Sequence, residues 1–477
     1  MAIENFLKQK MVGHLKFVPT ACQDDLFEKL SLFVTGDSEH DWLMLVNGYA
    51  GTGKTTAIAS FIKVLKEWKQ NFILLAPTGR SAKVLSNYTG MPAKTIHKQI
   101  YRQKSLKDGV GQFSLDMNKN RNTVFIVDEA SLITIGDTMS GSSLFGSGDV
   151  LDDLMTYVRS NTGNRLILMG DPAQLPPIGM DRSPALDVDY LRDEYTPDVE
   201  ECWLKSVVRQ EQQSGILYNA TLLRNEIEQE DYSTLQLSVE GFDDFRRISG
   251  GELIEALSEE ISKYGEDEVV VLCRSNKTAN RYNEGIRNRV LFREEQLTKG
   301  DKLMIVKNCY QFLENIPELD FIANGDVARL EKIGKYEERY GLRFASATLS
   351  FADYSDVEID AKIILDTLSS VTPALDKDQQ RTLFEGVYAD YEHIKTKKKR
   401  MEAVREDAYF NALQIKYAAA ITGHKSQGGQ WKCVFIHNPF WSEDISLDEK
   451  KWLYTAITRG VEKVYLVNFK DNFFNND

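Results

Sequence analysis

Gly48-Tyr49-Ala50-Gly51-Thr52-Gly53-Lys54-Thr55 fits the pattern G-x-x-x-x-G-K-[ST] at every fixed position. Its flanks suit a phosphate cradle. Leu43-Met44-Leu45-Val46 is an apolar run of strand length, and residues 55–69 carry Ile58, Phe61, Ile62 and Leu65 at helical spacing. Glycines let the chain bend so that successive N–H groups face one phosphate, the helix N-terminus adds partial positive charge, and the lysine adds a full one. Gly48, Gly51, Thr52, Gly53, Lys54, Thr55 and Thr56 are the expected binding set for ATP, with Thr55 suited to ligate Mg²⁺. A glycine turn without a ligand is the bland alternative. A dinucleotide fingerprint is disfavoured, because Thr56 stands where a third glycine would be needed.

Working outward, short apolar runs recur at 72–76, 124–127 and 166–169, each ending in a polar or glycine-containing loop. That rhythm predicts a parallel α/β sheet, in which ligands gather at the carboxyl ends of strands. Asp128-Glu129 follows the run 124–127 directly. Asp128 is expected to hold Mg²⁺, and Glu129 to orient or deprotonate an attacking water. Gln174, in the proline-rich turn 170–177, can sense a γ-phosphate through its amide, although a turn without function would look the same. Arg209 can reach a transition-state phosphate from outside this first core. A second α/β pattern has strands expected at 269–272 and 301–306, a helix at 277–289, and later apolar runs at 434–436 and 464–467. It contains no second phosphate loop, so a single nucleotide site between two similar halves is expected, with Arg459 contributed by the second half.

Composition sets limits on this reading. The chain of 477 residues is 42% apolar, enough for roughly three domains. Five scattered cysteines without a C-x-x-C suggest neither a disulfide framework nor a metal cluster, and a reducing, cytoplasmic setting fits them. No apolar run reaches membrane-spanning length, so a soluble, unexported protein without a membrane partner is expected. The net charge of −13 argues at face value against a nucleic-acid partner, but residues 211–268 hold 15 Asp and Glu against four Lys and Arg. Screening over about 8 Å at physiological salt prevents such a distant surface from vetoing a locally basic groove. The run Lys395-Thr396-Lys397-Lys398-Lys399-Arg400 is either a backbone-contacting patch or a solvated helix face.

Two further blocks have no use in a generic ATPase: Ala76-Pro77-Thr78-Gly79-Arg80-Ser81-Ala82-Lys83 followed by Thr95-Ile96-His97-Lys98, and Thr422-Gly423-His424-Lys425-Ser426-Gln427-Gly428. Together with the nucleotide blocks, over most of residues 48–467, they resemble a superfamily 1 helicase of the branch containing RecD and the phage helicase Dda. The resemblance implies two RecA-like parallel-sheet motor domains, a β-hairpin pin and an SH3-like β-barrel insertion. Its boundaries would be 1–97 with 123–210 for the first motor domain, 98–122 for the pin, 211–330 with 412–477 for the second motor domain, and 331–411 for the barrel. It implies an ATP-dependent DNA helicase moving 5′ to 3′, acting as a monomer on single-stranded and forked DNA, with other replication or recombination proteins as further partners.

By the same resemblance Pro77, Thr78, His97, Thr422 and His424 become DNA contacts, Phe113 the tip or flank of the pin, and Gln23 the residue that reads adenine. Lys54, Glu129, Gln174, Arg209 and Arg459 become the catalytic set. Read singly, Thr95 suits a helix cap, and His97 or His424 a buried histidine. The chain departs from the family pattern at Gly423, at Gly429-Gln430-Trp431 and at Gly460, and the Gly/Ser-rich stretch 135–149 reads as an added surface loop. An RNA translocase, an obligate subunit of a nuclease complex and a DNA loader remain open as rivals.

Overall fold

A computed structural model describes residues 3–103, 113–136, 148–206, 214–232, 235–309, 311–312, 322–354, 356–442 and 444–474. Its strands, in chain order, begin with β1 (Leu43–Gly48), β2 (Asn71–Ala76), β3 (Ala93–Thr95), β4 (Tyr101–Gln103), β5 (Phe113–Leu115), β6 (Thr123–Val127), β7 (Arg165–Gly170) and β8 (Val199–Leu204). Six of these form an all-parallel sheet in the order β3-β2-β6-β7-β1-β8. Every residue of β1, β6 and β7 is buried, as a sheet covered on both faces requires. Alternation along β1 sends Met44 and Val46 into one apolar layer with Ile58, Phe61 and Ile62, and Leu43 and Leu45 into the other with Leu154 and Val158. β4 and β5 pair antiparallel as a separate ribbon. The side chain of Phe113 and the residues joining the two strands lie outside the described residues, as does most of the 135–149 stretch.

The second sheet is also wholly parallel, in the order β16-β10-β17-β18-β9. It uses β9 (Phe245–Ile248) and β10 (Val269–Cys273), and after the barrel β16 (Ala420–Thr422), β17 (Trp431–His437) and β18 (Gly460–Val467). Between β10 and β16 the chain builds a closed barrel from β11 (Lys302–Ile305), β12 (Val327–Arg339), β13 (Leu342–Phe351), β14 (Val357–Ile364) and β15 (Leu413–Tyr417). Its core includes Leu330, Ala347, Leu349, Phe351, Ile363 and Ile415. The fold is thus two RecA-like parallel-sheet lobes plus a five-stranded barrel of the kind an SH3-like insertion predicts.

One expected strand changes owner. Residues 301–306 form a strand, but β11 pairs Met304 with Val327 of β12 and with Lys416 of β15, so it is a barrel stave and not part of the second sheet. A short apolar run cannot reveal which sheet recruits it. The barrel accordingly draws its first and last strands from outside 331–411.

Helices at Lys377–Asp390 and Lys397–Glu406 pack beside the barrel through Leu383, Val387 and Val404, which meet Leu342, Phe344 and Ile364. Lys395, Lys397, Lys398 and Lys399 are exposed there, while Arg400 bonds back to the carbonyls of Glu392 and Ile394. Among the described residues no helix is long and apolar enough to cross a membrane.

Candidate nucleotide cleft and nucleic-acid groove

The loop after β1 turns through Gly51 and Gly53, whose φ values of 75° and 74° lie in the left-handed region where a Cβ is disfavoured. The helix Lys54–Glu67 starts directly behind it. Thr52 is buried and donates to the Tyr49 carbonyl at 2.8 Å, and Lys54 Nζ donates to the Gly48 carbonyl at 2.6 Å. These bonds hold the loop curled.

At the tip of β6, Asp128 accepts from the Glu129 N–H at 2.9 Å. Burial and the neighbouring Glu129 push the Asp128 carboxyl up to about 6, against the opposing pull of Lys54. Glu129 itself sits at φ 54°, a left-handed conformation costing a non-glycine residue about 1 kcal/mol or more, and its Oε2 is buried without a partner. Gln174, after β7, likewise has a buried, unpartnered Oε1. Both orphaned acceptors belong to residues that line one cleft of about 310 Å³, together with Gly51, Gly53, Lys54, Thr55, Thr56, Asp128 and Asp171.

The far wall of that cleft comes from the second lobe and includes Gly428, Gln430 and Arg459. Arg459 is 3% exposed, donates to the carbonyls of Thr455 at 3.1 Å and Gly429 at 3.3 Å, and places Nη1 3.9 Å from Glu129 Oε1. Four hydrogen bonds from Tyr454, Thr455 and Gln427 also cross between the lobes. The Tyr454 hydroxyl accepts from the Ala50 N–H at 3.0 Å and donates to Asp171 at 2.6 Å. Thr455 Oγ1 accepts from Leu175 N at 2.9 Å, and Gln427 Nε2 donates to the Leu175 carbonyl at 2.6 Å. Burial pushes the Asp171 carboxyl up, with Lys54 and the Tyr454 hydroxyl opposing it.

The expected site residues distribute as follows. Lys54, Thr55, Thr56, Asp128, Glu129, Gln174 and Arg459 converge on the cleft with Gly51 and Gly53. Gly48 and Thr52 shape the loop from behind it. Arg209 lies outside the described residues. Gln23 does not line the cleft: its fully buried amide accepts from Thr20 N at 3.1 Å and donates to the Thr52 carbonyl at 3.0 Å. Its observed part is to cap the helix Ala21–Thr35 and brace the phosphate loop.

A second cavity of about 440 Å³ runs beside the first and is lined by Pro77, Thr78, Arg80 and His97 from the first lobe and by His424 and Lys425 from the second. Asn324, Gly325 and Asp326, which precede barrel strand β12, complete it. Thr78 caps the helix Gly79–Thr89, its Oγ1 accepting from Ser81 N. Thr95 likewise caps the helix Ile96–Ile100. Burial pulls His97 down to about 4, and burial with Arg274 and Lys425 nearby pulls His424 down, so both rings are neutral near pH 7. Burial also pushes Asp326 up to about 7 and Lys425 down to about 8. Thr422 does not line this groove but stands at the N-cap of Gly423–Ser426. Sequence reasoning missed Arg80, Lys425 and Asp326 here, Asp171 in the cleft and Tyr454 at the seam behind it. Arg80, Lys425 and Asp171 lay inside blocks already singled out, whereas Asp326 and Tyr454 carried no signal there.

Two family models match the chain, an AAA domain at residues 34–238 and a UvrD-like helicase C-terminal domain at 417–467, in that order, on the lobes that build the two walls of the cleft. These two matches agree with the resemblance to superfamily 1 helicases carried by the sequence blocks. The chain is 29% identical over 139 residues to the ATP-dependent RecD2 DNA helicase of Deinococcus radiodurans, covering 28% of this chain and 16% of that one. An uncharacterized protein, MJ1519, of Methanocaldococcus jannaschii is 23% identical over 461 residues, which is 89% of this chain but only 36% of the relative. A Pif1 helicase from Bacteroides, solved with ADP-AlF3 and single-stranded DNA, is similar at 16% identity, with coverage of 97% of this chain and 95% of that one and a TM-score of 0.46.

The glycines at which the sequence departs from the pattern it resembles have packing causes. A Cβ at Gly423 would run into the Trp452 indole nitrogen, one at Gly460 into Val464, and one at Gly429 would lie 2.6 Å from the Trp431 ring and 2.9 Å from Arg80 Nε.

Proposed function

We propose that this protein is an ATP-driven DNA helicase that moves 5′ to 3′ along a single strand and separates duplex ahead of it. The observation that carries the reading is the shared cleft, in which the phosphate loop, Asp128 and Glu129 of one lobe meet Arg459 of the other, beside a groove that also draws on both lobes. The relationship to a named DNA helicase supports DNA as the polymer, and the direction rests on the resemblance to the RecD and Dda branch.

Lys54 and the loop N–H groups grip the triphosphate. Glu129, through its unpartnered Oε2, orients the attacking water and takes its proton. Arg459 stabilises the charge that develops on the transferring phosphoryl group, a contact made only while the lobes are together, so hydrolysis loosens the pair and ATP binding draws it shut again. Thr55 and Asp128 would hold Mg²⁺, which would neutralise charge on the β- and γ-phosphate oxygens. The fit is good: both residues line the same cleft, and a hydroxyl and a carboxylate are the hard oxygen donors that suit a metal bound mainly by phosphate and water. Alternating grip by the two walls of the groove then advances the strand. Breaking a base-pair step costs about 1.4 kcal/mol on average, so the β4–β5 ribbon as a pin needs only directional motion behind it.

A forked duplex carrying a 5′ tail, a 3′ tail or neither tests activity, independence and direction together. Unwinding by the lone chain from the 5′ tail is expected. Unwinding from the 3′ tail alone would refute the direction, and no unwinding with intact DNA-stimulated ATPase would favour a loader or subunit. Matched DNA and RNA oligomers as ATPase stimulators decide the polymer.

A further inference from the structure

Arg80 stands in the first turn of the helix Gly79–Thr89 and lines the groove beside Pro77 and Thr78. Its guanidinium is not spent on a carboxylate. Among the described residues it makes no ion pair, since nearby Asp353 is taken by Lys83 and Asp267 by Arg329 and Lys302. Instead it lies over the Trp431 ring of the second lobe, 4.0 Å from the ring centroid, and donates from Nη2 to the Gln430 carbonyl at 3.1 Å. Trp431 is 2% exposed and does not line the groove. Two residues earlier the chain has a glycine, and a Cβ at Gly429 would press on both the ring and Arg80 Nε. The same segment meets the nucleotide cleft, where the Gly429 carbonyl accepts from Arg459 Nη1 at 3.3 Å and Trp431 N donates to the Arg459 carbonyl at 3.0 Å.

We infer that Arg80 grips a backbone phosphate of the bound strand, and that Trp431, reaching across from the other lobe, is the positioning residue that holds the guanidinium ready for it. Stacking fixes the plane of the fork and leaves N–H groups free for a phosphate. Because the ring travels with the segment that touches Arg459, the grip depends on how the lobes sit, and the nucleotide therefore governs it. This rests on the groove being the single-strand surface.

The test is binding of fluorescein-labelled oligothymidylate to the full chain with a non-hydrolysable ATP analogue, across a salt series. Arg80→Ala should lower the slope of log affinity against log salt by about 0.7, and weaken binding about fivefold at about 0.1 M salt. Trp431→Leu, which removes no charge, should reproduce that slope change, Trp431→Phe should restore most of it, and the double variant should lose nothing beyond Arg80→Ala. A packing defect alone would weaken binding at every salt concentration with the slope unchanged, and that result for Trp431→Leu would overturn the positioning role. An unchanged slope in Arg80→Ala would overturn the grip. Wild-type protein that fails to bind the oligomer would remove the groove reading itself.

Discussion

Changing Tyr454 to Phe deletes one oxygen at the seam between the lobes and leaves the ring, which is packed in the apolar cluster that both lobes share. That oxygen makes two contacts with the first lobe, accepting from Ala50 N and donating to the buried Asp171 carboxylate. A hydrogen bond to a charged group contributes about 1.5–3 kcal/mol and a neutral one about 1 kcal/mol, so the joined arrangement should lose about 2–4 kcal/mol relative to the separated one. At about 1.4 kcal/mol per decade, a loss at the lower end of that range corresponds to about 30-fold in the ratio of joined to parted lobes. Steady-state ATP hydrolysis at saturating single-stranded DNA should show kcat/KM reduced by about that factor, while far-ultraviolet circular dichroism of the variant matches the wild type. Wild-type kcat/KM in Tyr454→Phe would refute the claim that this seam controls the engine.

Other substitutions probe neighbouring parts. Lys54→Ala and Glu129→Gln should each cut DNA-stimulated ATP hydrolysis by about 100-fold or more, measured by phosphate release with circular dichroism as the folding control. Arg459→Ala should lose about 10³-fold or more in kcat, with ATP binding, followed by a fluorescent analogue, falling far less. Single-strand affinity should weaken as pH rises from about 6 to about 9: Asp326, neutral below about 7, becomes an anion in the groove, and Lys425, cationic below about 8, becomes neutral. Asp326→Asn should flatten the lower limb of that profile in anisotropy titrations and spare the upper one. Gly423→Ala forces a methyl into the Trp452 indole and should lower stability by about 1–3 kcal/mol, read from denaturant midpoints.

How much of this was legible beforehand follows the physics of each feature. The convergence of Lys54, Thr55, Asp128, Glu129 and Arg459 on one cleft was foreseeable, because they were picked out by the fixed residue types and spacing that phosphate chemistry demands. The parallel sheets could be read from apolar runs bounded by polar loops. Ownership of 301–306 could not, since Leu303, Met304 and Ile305 suit a barrel and a sheet equally. Gln23 shows a different limit, because its place in the sequence suggested a base reader while its neighbours Thr20 and Thr52 claim both ends of its amide. The glycines at 423, 429 and 460 looked anomalous for a similar reason. Each is small because of a bulky partner, Trp452, Trp431 or Val464, and such pairing becomes visible only in three dimensions.

The placement of the barrel between β10 and β16 has a consequence for biosynthesis. Among the described residues β10 pairs with β16 and β17, and β9 with β18, so the strand partners of these early strands leave the ribosome after the barrel has been made. The first lobe and the barrel can mature during translation, whereas β9 and β10 must wait with their edges bare for residues 420–467. A chain stalled or clipped before β16 would hold a finished phosphate loop and a finished barrel, with two orphaned strands available to a chaperone or to a neighbouring nascent chain.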